Sequence, residues 1–184
     1  MRKVKAFIFI TLDGYYAGEE GDVSWHNHGQ EENEYAIRAM SAGDILLFGR
    51  VTYEMMLSYW PTPMAKMNDP LVADGMNTSD KIVFSKTLKK ADWKNTSLIK
   101  EDVVEEIIKL KLKQGNDMTL LGSGSILTQL AENGLIDEYQ VMVDPVVIGS
   151  GTRLFENIRE QLLLKLVSTT TFKSGVVLLC YQPG

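Results

Sequence analysis

Asp44-Ile45-Leu46-Leu47-Phe48-Gly49-Arg50-Val51-Thr52-Tyr53-Glu54 is the stretch on which the reading of the chain turns. Asp44 to Phe48 is a short, nearly continuous apolar run, as expected of a strand buried on both faces. Gly49 breaks it. Val51 to Tyr59 then has helical spacing until Pro61 and Pro63, which predict a long loop to about Ser79. A buried strand that hands over directly to a helix leaves unpaired N–H groups at the helix start, and such groups meet an anion readily. A dinucleotide phosphate fits that description, with Arg50 supplying a planar fork and Thr52 a hydroxyl. A bare helix start with an exposed arginine is the plainer reading, and the hexapeptide from Gly49 to Glu54 does not choose between them.

The same arrangement recurs on either side of this stretch. Lys81 to Phe84 reads as a strand, and Ser85-Lys86-Thr87 after it places one cation and two hydroxyls at a strand's carboxyl end, where open α/β sheets hold ligands. A polar loop is its plainer reading. Met118 to Leu121 is another strand, followed by the turn Gly122-Ser123-Gly124 and a helix from Ser125 to Asn133 closed by Gly134. Its glycines permit close backbone approach, and Ser123 or Ser125 is suited to cap the helix or touch phosphate. Leu127 stands where a Rossmann fingerprint needs its third glycine, and no P-loop Gly-Lys-Ser/Thr occurs.

Lys3 to Leu12 is a buried strand halted by Asp13-Gly14, and Gly18 and Gly21 mark a mobile loop beyond it. Gln30 to Ala42 reads as a helix with Tyr35, Ile37, Ala39 and Met40 as its apolar positions and Gly43 as its stop. Ser97 to Ile99 is a short strand, and Glu101 to Gln114 a helix with acids in its first turn and Lys109, Lys111 and Lys113 in its last, as the helix dipole favours. This alternating order predicts a largely parallel sheet. Asp137 to Val143, Leu164 to Phe172 and Val176 to Tyr181 are strands without helices between them, and Lys173-Ser174-Gly175 looks like a hairpin turn. The expectation is one domain over residues 1–184: a three-layer αβα fold whose mixed, mostly parallel central sheet ends in an antiparallel C-terminal hairpin.

Composition sets the outer bounds. The chain has 184 residues, 45% hydrophobic and 23% charged, which is the balance of a folded globular chain. Met1 to Asp92 carries 10 basic and 13 acidic residues and the remainder 9 and 11, so neither half is basic enough for generic nucleic-acid binding. The apolar run from Val4 to Leu12 is too short to span a membrane, and a cytoplasmic location is the default expectation. Cys180 has no partner for an internal disulfide and lies in an apolar run. His26-Asn27-His28 offers two histidines without a clear third ligand, which falls short of a metal site.

Taken in order, Thr11-Leu12-Asp13-Gly14-Tyr15, Trp25, the Gly49 to Glu54 hexapeptide, Val83-Phe84-Ser85-Lys86-Thr87-Leu88, Gly122 to Ser125, Leu135 to Tyr139 and Pro145 to Gly151 with Leu154-Phe155 resemble the dihydrofolate-reductase-like proteins. Within these, the chain is similar to the C-terminal reductase domain of bacterial riboflavin biosynthesis. The resemblance implies an NADPH site. Gly49, Arg50, Thr52, Ser85 and Lys86 would lie near the adenosine and its 2′-phosphate, and Gly122, Ser123, Gly124, Ser125 and Ile126 along the pyrophosphate. The nicotinamide would lie near Leu12 and Asp13.

Asp13, Tyr16, Trp25 and Tyr53 are the candidates for a pocket that holds a planar heterocycle, together with Tyr15 and Trp60; for Tyr53 and Trp60 a place in the core is at least as good a reading. Asp13 or a water would supply the proton. Dihydrofolate reductases carry one helical carboxylate a few residues after the tryptophan, but Gln30-Glu31-Glu32-Asn33-Glu34 nominates no single residue, and a solvated helix face is expected there. The resulting expectation is an NADPH-dependent reductase acting on a small pterin- or aminopyrimidine-like substrate, as a homodimer. An NADPH-binding protein without turnover, and a structural dimer module without nucleotide, are the alternatives.

Overall fold

In chain order the elements are β1 (Val4–Thr11), β2 (Tyr15–Ala17), α1 (Gln30–Met40), β3 (Ile45–Gly49), α2 (Arg50–Tyr59), α3 (Pro63–Asn68), α4 (Pro70–Thr78), β4 (Lys81–Phe84), β5 (Thr96–Ile99), α5 (Val103–Leu112), β6 (Met118–Leu121), α6 (Gly124–Glu132), β7 (Glu138–Asp144), β8 (Thr152–Arg153), β9 (Leu164–Thr171) and β10 (Val177–Pro183). The computed structural model describes residues 1–26, 29–40 and 42–184. Asn27 and His28 of the histidine motif, Ser41 in the helix expected to reach Ala42, and the side chain of Met40 lie outside the described residues.

Eight strands form one sheet in the order β5-β4-β3-β6-β1-β7-β10-β9. β1 is parallel to both its neighbours, and the antiparallel pairings are those of β10 with β7 and β9, so the terminal hairpin joins the main sheet as expected. α5 and α6 cover one face, with Ile107, Leu127 and Leu130 against Val4, Ala6, Leu47 and Leu120. α2 and α4 cover the other, where Tyr53, Val72 and Met76 meet Leu46, Phe48 and Val83. α1 adds Ala36 and Ile37 to that layer and Tyr35 to a smaller cluster around Met142 and Leu178. The chain therefore leaves β3 toward one face and the adjacent β6 toward the other, a switch that opens a crevice at the strands' carboxyl ends.

The structure differs from the sequence reading in instructive places. The stretch expected to be a loop from Pro61 to Ser79 holds α3 and α4, because Pro63 and Pro70 sit at helix starts, where a fixed φ and a missing N–H do no harm. Thr62 caps α3 by accepting from the Ala65 N–H. α5 begins after Asp102, whose carboxylate accepts from the Val104 and Glu105 amides, so Glu101 lies outside it. Ala39 is exposed, and Ala36 holds the apolar place on α1. β2 and β8 pair as a two-stranded ribbon that has no counterpart among the expected strands. No helix among the described residues is long and apolar enough to cross a membrane.

Candidate active site

The crevice begins where β3 and β6 end. The Gly49 N–H donates to Ser123 Oγ at 2.7 Å, and that hydroxyl donates to Thr52 Oγ1 at 3.0 Å. Gly122 and Ser123 take left-handed conformations, φ +56° and +58°, which fold the turn back so that Ser123 reaches across. A Cβ on Gly49 would lie 3.2 Å from Ile126 and from Ser123, so glycine is what lets the turns touch. The starts of α2 and α6 are thus stitched side by side, and two positive helix ends share one place.

The other cofactor-side candidates lie around this stitch. Phe84 pairs in register with Gly49, which brings Ser85 to the same end of the sheet. Ser85 Oγ accepts from the Thr87 and Leu88 amides at 3.2 and 2.9 Å, holding the turn, while Lys86 is exposed. Arg50 is half exposed and its guanidinium is engaged by Glu54 at 2.7 Å. Ser125 is exposed, Ile126 is buried beneath the turn, and Leu12 is exposed with its N–H donated to Val146 O.

Tyr16 on β2 lies over this turn. A Cβ on Gly124 would come within 2.6 Å of its ring. The same ring lines a cavity of about 260 Å³ with Ser125, Thr128, Arg153, Phe155 and Glu156. Burial, reinforced by Glu156, pushes the Tyr16 phenol above its ordinary range.

Asp13, nominated as a proton source, has a different set of contacts. Its carboxylate accepts from the Thr11 hydroxyl at 2.6 Å and from the Gly149 and Ile148 amides at 2.8 and 3.4 Å. The Thr11 bond above all, with help from the amides, holds it below the usual carboxylate range, against a smaller opposing effect of burial. An acid held ionised fastens the β7–β8 connection to the end of β1 and is badly suited to give up a proton at neutral pH.

Tyr53 does not reach the crevice. Its side chain is 1% exposed between Phe48 and Trp93, and its hydroxyl accepts from the Trp93 N–H at 2.9 Å, so the core reading is the correct one. Trp60 is half-buried, its ring N–H on Met56 Sδ. Trp25 is half-buried beside His26, ring centroids 5.9 Å apart.

The expected solvated face of α1 needs the opposite correction. Glu32 is 1% exposed, accepts from the Ser174 hydroxyl in the β9–β10 turn with Oε1, and leaves Oε2 buried without a partner. Two residues escaped the sequence reading as a pair. His26 Nδ1 lies 3.0 Å from both carboxylate oxygens of Asp144, the last residue of β7, and both side chains are nearly buried. One signal was available: a charged residue ends the apolar run Val141-Met142-Val143 just before Pro145.

Comparison with known proteins agrees with this architecture. The RibD C-terminal domain matches residues 2–178. The uncharacterized protein YyaP of Bacillus subtilis (strain 168) is 31% identical over 181 residues, covering 98% of this chain and 95% of its own, and YwjB of the same organism is 27% identical over 179 residues, 96% of each. Among solved structures, a putative riboflavin biosynthesis protein from Shewanella sp. PV-4 superposes with a TM-score of 0.77 at 23% identity over 99% of both chains. A diaminohydroxyphosphoribosylaminopyrimidine deaminase/5-amino-6-(5-phosphoribosylamino)uracil reductase from Thermotoga maritima gives 0.71 at 16% identity, this chain spanning 57% of it. Such likenesses establish the three-layer, dihydrofolate-reductase-like fold, and the sequence match goes further: the chain belongs to the RibD C-terminal domain family.

Proposed function

We propose that the chain is an NADPH-dependent reductase of a small, planar nitrogen heterocycle of the pterin or aminopyrimidine kind. The observation that carries the reading is the stitch between Gly49, Ser123 and Thr52, which sets two helix N-termini together at the switch in strand order. That cradle suits a pyrophosphate: the first turns of α2 and α6 carry N–H groups with no acceptor inside their helices, and Gly49 lets the two starts come together. Gly122 to Ile126 and Thr52 would hold the pyrophosphate, and Arg50, Ser85 and Lys86 the adenosine end with its 2′-phosphate. NADPH would supply the hydride, and Leu12 at the end of β1 is the residue that would help hold its nicotinamide.

On the other side of β1, Glu32 is the chain's anchor for substrate. Its buried, unpartnered Oε2 is an acceptor in want of an N–H donor, and an aminopyrimidine edge offers such donors. Phe9 and Trp25 give apolar walls on the same side. The test is NADPH oxidation with a panel of oxidised pterins and aminouracils, alongside calorimetric titration of NADPH. NADPH binding without turnover of any acceptor would favour a sensor, and no binding would sink the reading.

The partner we propose is a second copy. β9 is an edge strand exposed at nearly every position, and it carries one charge, Lys165, with Leu166 and Val167 half exposed. An edge so little protected pairs with its own copy about a twofold axis. Light scattering should give twice the 20.6 kDa chain mass, falling to the monomer with Val167→Lys.

A further inference from the structure

Reduction of a C=N bond consumes a hydride at carbon and a proton at nitrogen, and the proton has to come from the chain or from water. Asp13 is held ionised by Thr11 and two amides. The Tyr16 phenol is pushed up by burial and keeps its proton. We infer that His26, gripped by Asp144, is the general acid of the reaction, an inference that rests on the reductase reading above.

The geometry is that of an oriented acid. A carboxylate only accepts, so the His26 nitrogen 3.0 Å from both Asp144 oxygens must be the N–H donor, which fixes Nδ1 as protonated and leaves proton gain and loss to Nε2. The ring lies against Phe9 of β1, centroids 3.7 Å apart, and its backbone N–H is tied to Val23 O. Its orientation is therefore set by strand, carboxylate and loop together. Among the contacts that described residues make with the ring are those of Asp144 from β7, Phe9 from β1 and Trp25 from its own loop, and of these three Asp144 is the charged one.

The location is what the chemistry needs. Asp144 pairs across the sheet from Thr11, the last residue of β1, so the dyad stands on the flank of β1 opposite the β6 turn. The His26 side chain is 10% exposed and that of Asp144 4%, which keeps bulk water scarce while leaving the ring a route for recharging. In the step, the Nε2–H bond breaks as the new N–H bond forms on the substrate nitrogen. The ring becomes neutral, and solvent returns the proton after product leaves. Asp144 remains a carboxylate throughout; it is a positioning residue that also balances the imidazolium charge.

Two measurements test this. Nitrogen NMR of the imidazole should show a proton on Nδ1, and Asp144→Asn should abolish that tautomer preference. A ring whose Nδ1 carries no proton overturns the proposal. In turnover, His26→Gln should lower kcat by roughly a hundred- to ten-thousandfold and remove the decline in rate at high pH, with NADPH affinity unchanged. Added imidazole should partly restore His26→Ala, which repair of a merely structural role would not achieve. If wild type reduces an acceptor and His26→Gln does so with the same rate and pH profile, the proposal fails while the reductase reading stands. If wild type binds NADPH yet reduces nothing at any pH, the reductase reading fails and takes the assignment with it.

Discussion

On the β3/β6 side the crevice is made of backbone and small side chains; on the β1/β7 side the structure buries ionisable side chains. The first side is built by Gly49, Gly122, Ser123 and Thr52, residues that matter because they let two helix starts lie side by side. On the reading proposed above, the second works through Glu32, His26 and Asp144, side chains that are costly to bury. An anion common to many reactions is met by generic backbone geometry, whereas a particular substrate demands particular side chains. The contrast separates what a fold supplies from what a chain must add to it.

The largest effect on cofactor binding should come from Arg50. NADPH and NADH differ by the 2′-phosphate, and a charge-assisted contact to it is worth about 1.5–3 kcal/mol, so Arg50→Ala should weaken NADPH by roughly ten- to a hundredfold and leave NADH almost unchanged. Calorimetry with both cofactors reads this directly, and equal losses would place Arg50 on the shared pyrophosphate. Because Glu54 holds the guanidinium at 2.7 Å, Glu54→Gln should tighten NADPH slightly.

Next in size is the stitch itself. Ser123→Ala removes the acceptor of the buried Gly49 N–H, and a donor left unsatisfied costs about 1–3 kcal/mol. Chemical denaturation should show that loss together with weaker NADPH binding. Stability lost with binding intact would mean that the two helix starts need not be joined to hold phosphate.

On the charged side the sign should reverse. Glu32→Gln keeps an acceptor for Ser174 and puts a neutral amide where a buried carboxyl has one oxygen unpartnered, so stability should rise by about 1 kcal/mol while turnover falls. Thermal unfolding paired with NADPH oxidation reads both. A variant that loses stability and keeps activity would make Glu32 a structural residue and erase the contrast.

The smallest effect concerns Asp13. Its folded-state value lies below the ordinary 3.8, so the stability it contributes is present above that value and is lost as pH falls through the lowered one. Hydrogen exchange at the Gly149 amide should stay protected at neutral pH and accelerate only in more acidic solution. Asp13→Asn should reproduce that loosening at pH 7.

The two sides also differ in how far they could be read from the sequence. Gly49 to Glu54 and Gly122 to Ile126 are contiguous, each set by a strand, a turn and a helix start, and local rules sufficed to find them. The dyad joins residues 26 and 144 and the Glu32 contact joins residues 32 and 174, separations that no local pattern spans. Glu31, Glu32 and Glu34 look alike in the chain; which of them turns inward depends on how α1 lies against the hairpin turn, a tertiary fact. Tyr53 went astray for the same reason, since an aromatic one turn into an amphipathic helix can lie on either side of it. The middle of the sheet was legible because β1, β3, β4 and β6 are largely apolar runs, while α3 and α4 were hidden by prolines that serve equally as stops and as first residues.

The contact between Tyr16 and Gly124 has a consequence for how such chains diverge. The ring occupies the volume where a side chain on residue 124 would stand, so the two positions share one allotment of space and neither is free to enlarge alone. A glycine that looks demanded by a ligand is already demanded by its neighbour. Across descendants of a common ancestor, positions 16 and 124 should therefore change in step, a small residue at 16 wherever 124 has gained a side chain, and a history in which they drift independently would show that the ring can rest elsewhere.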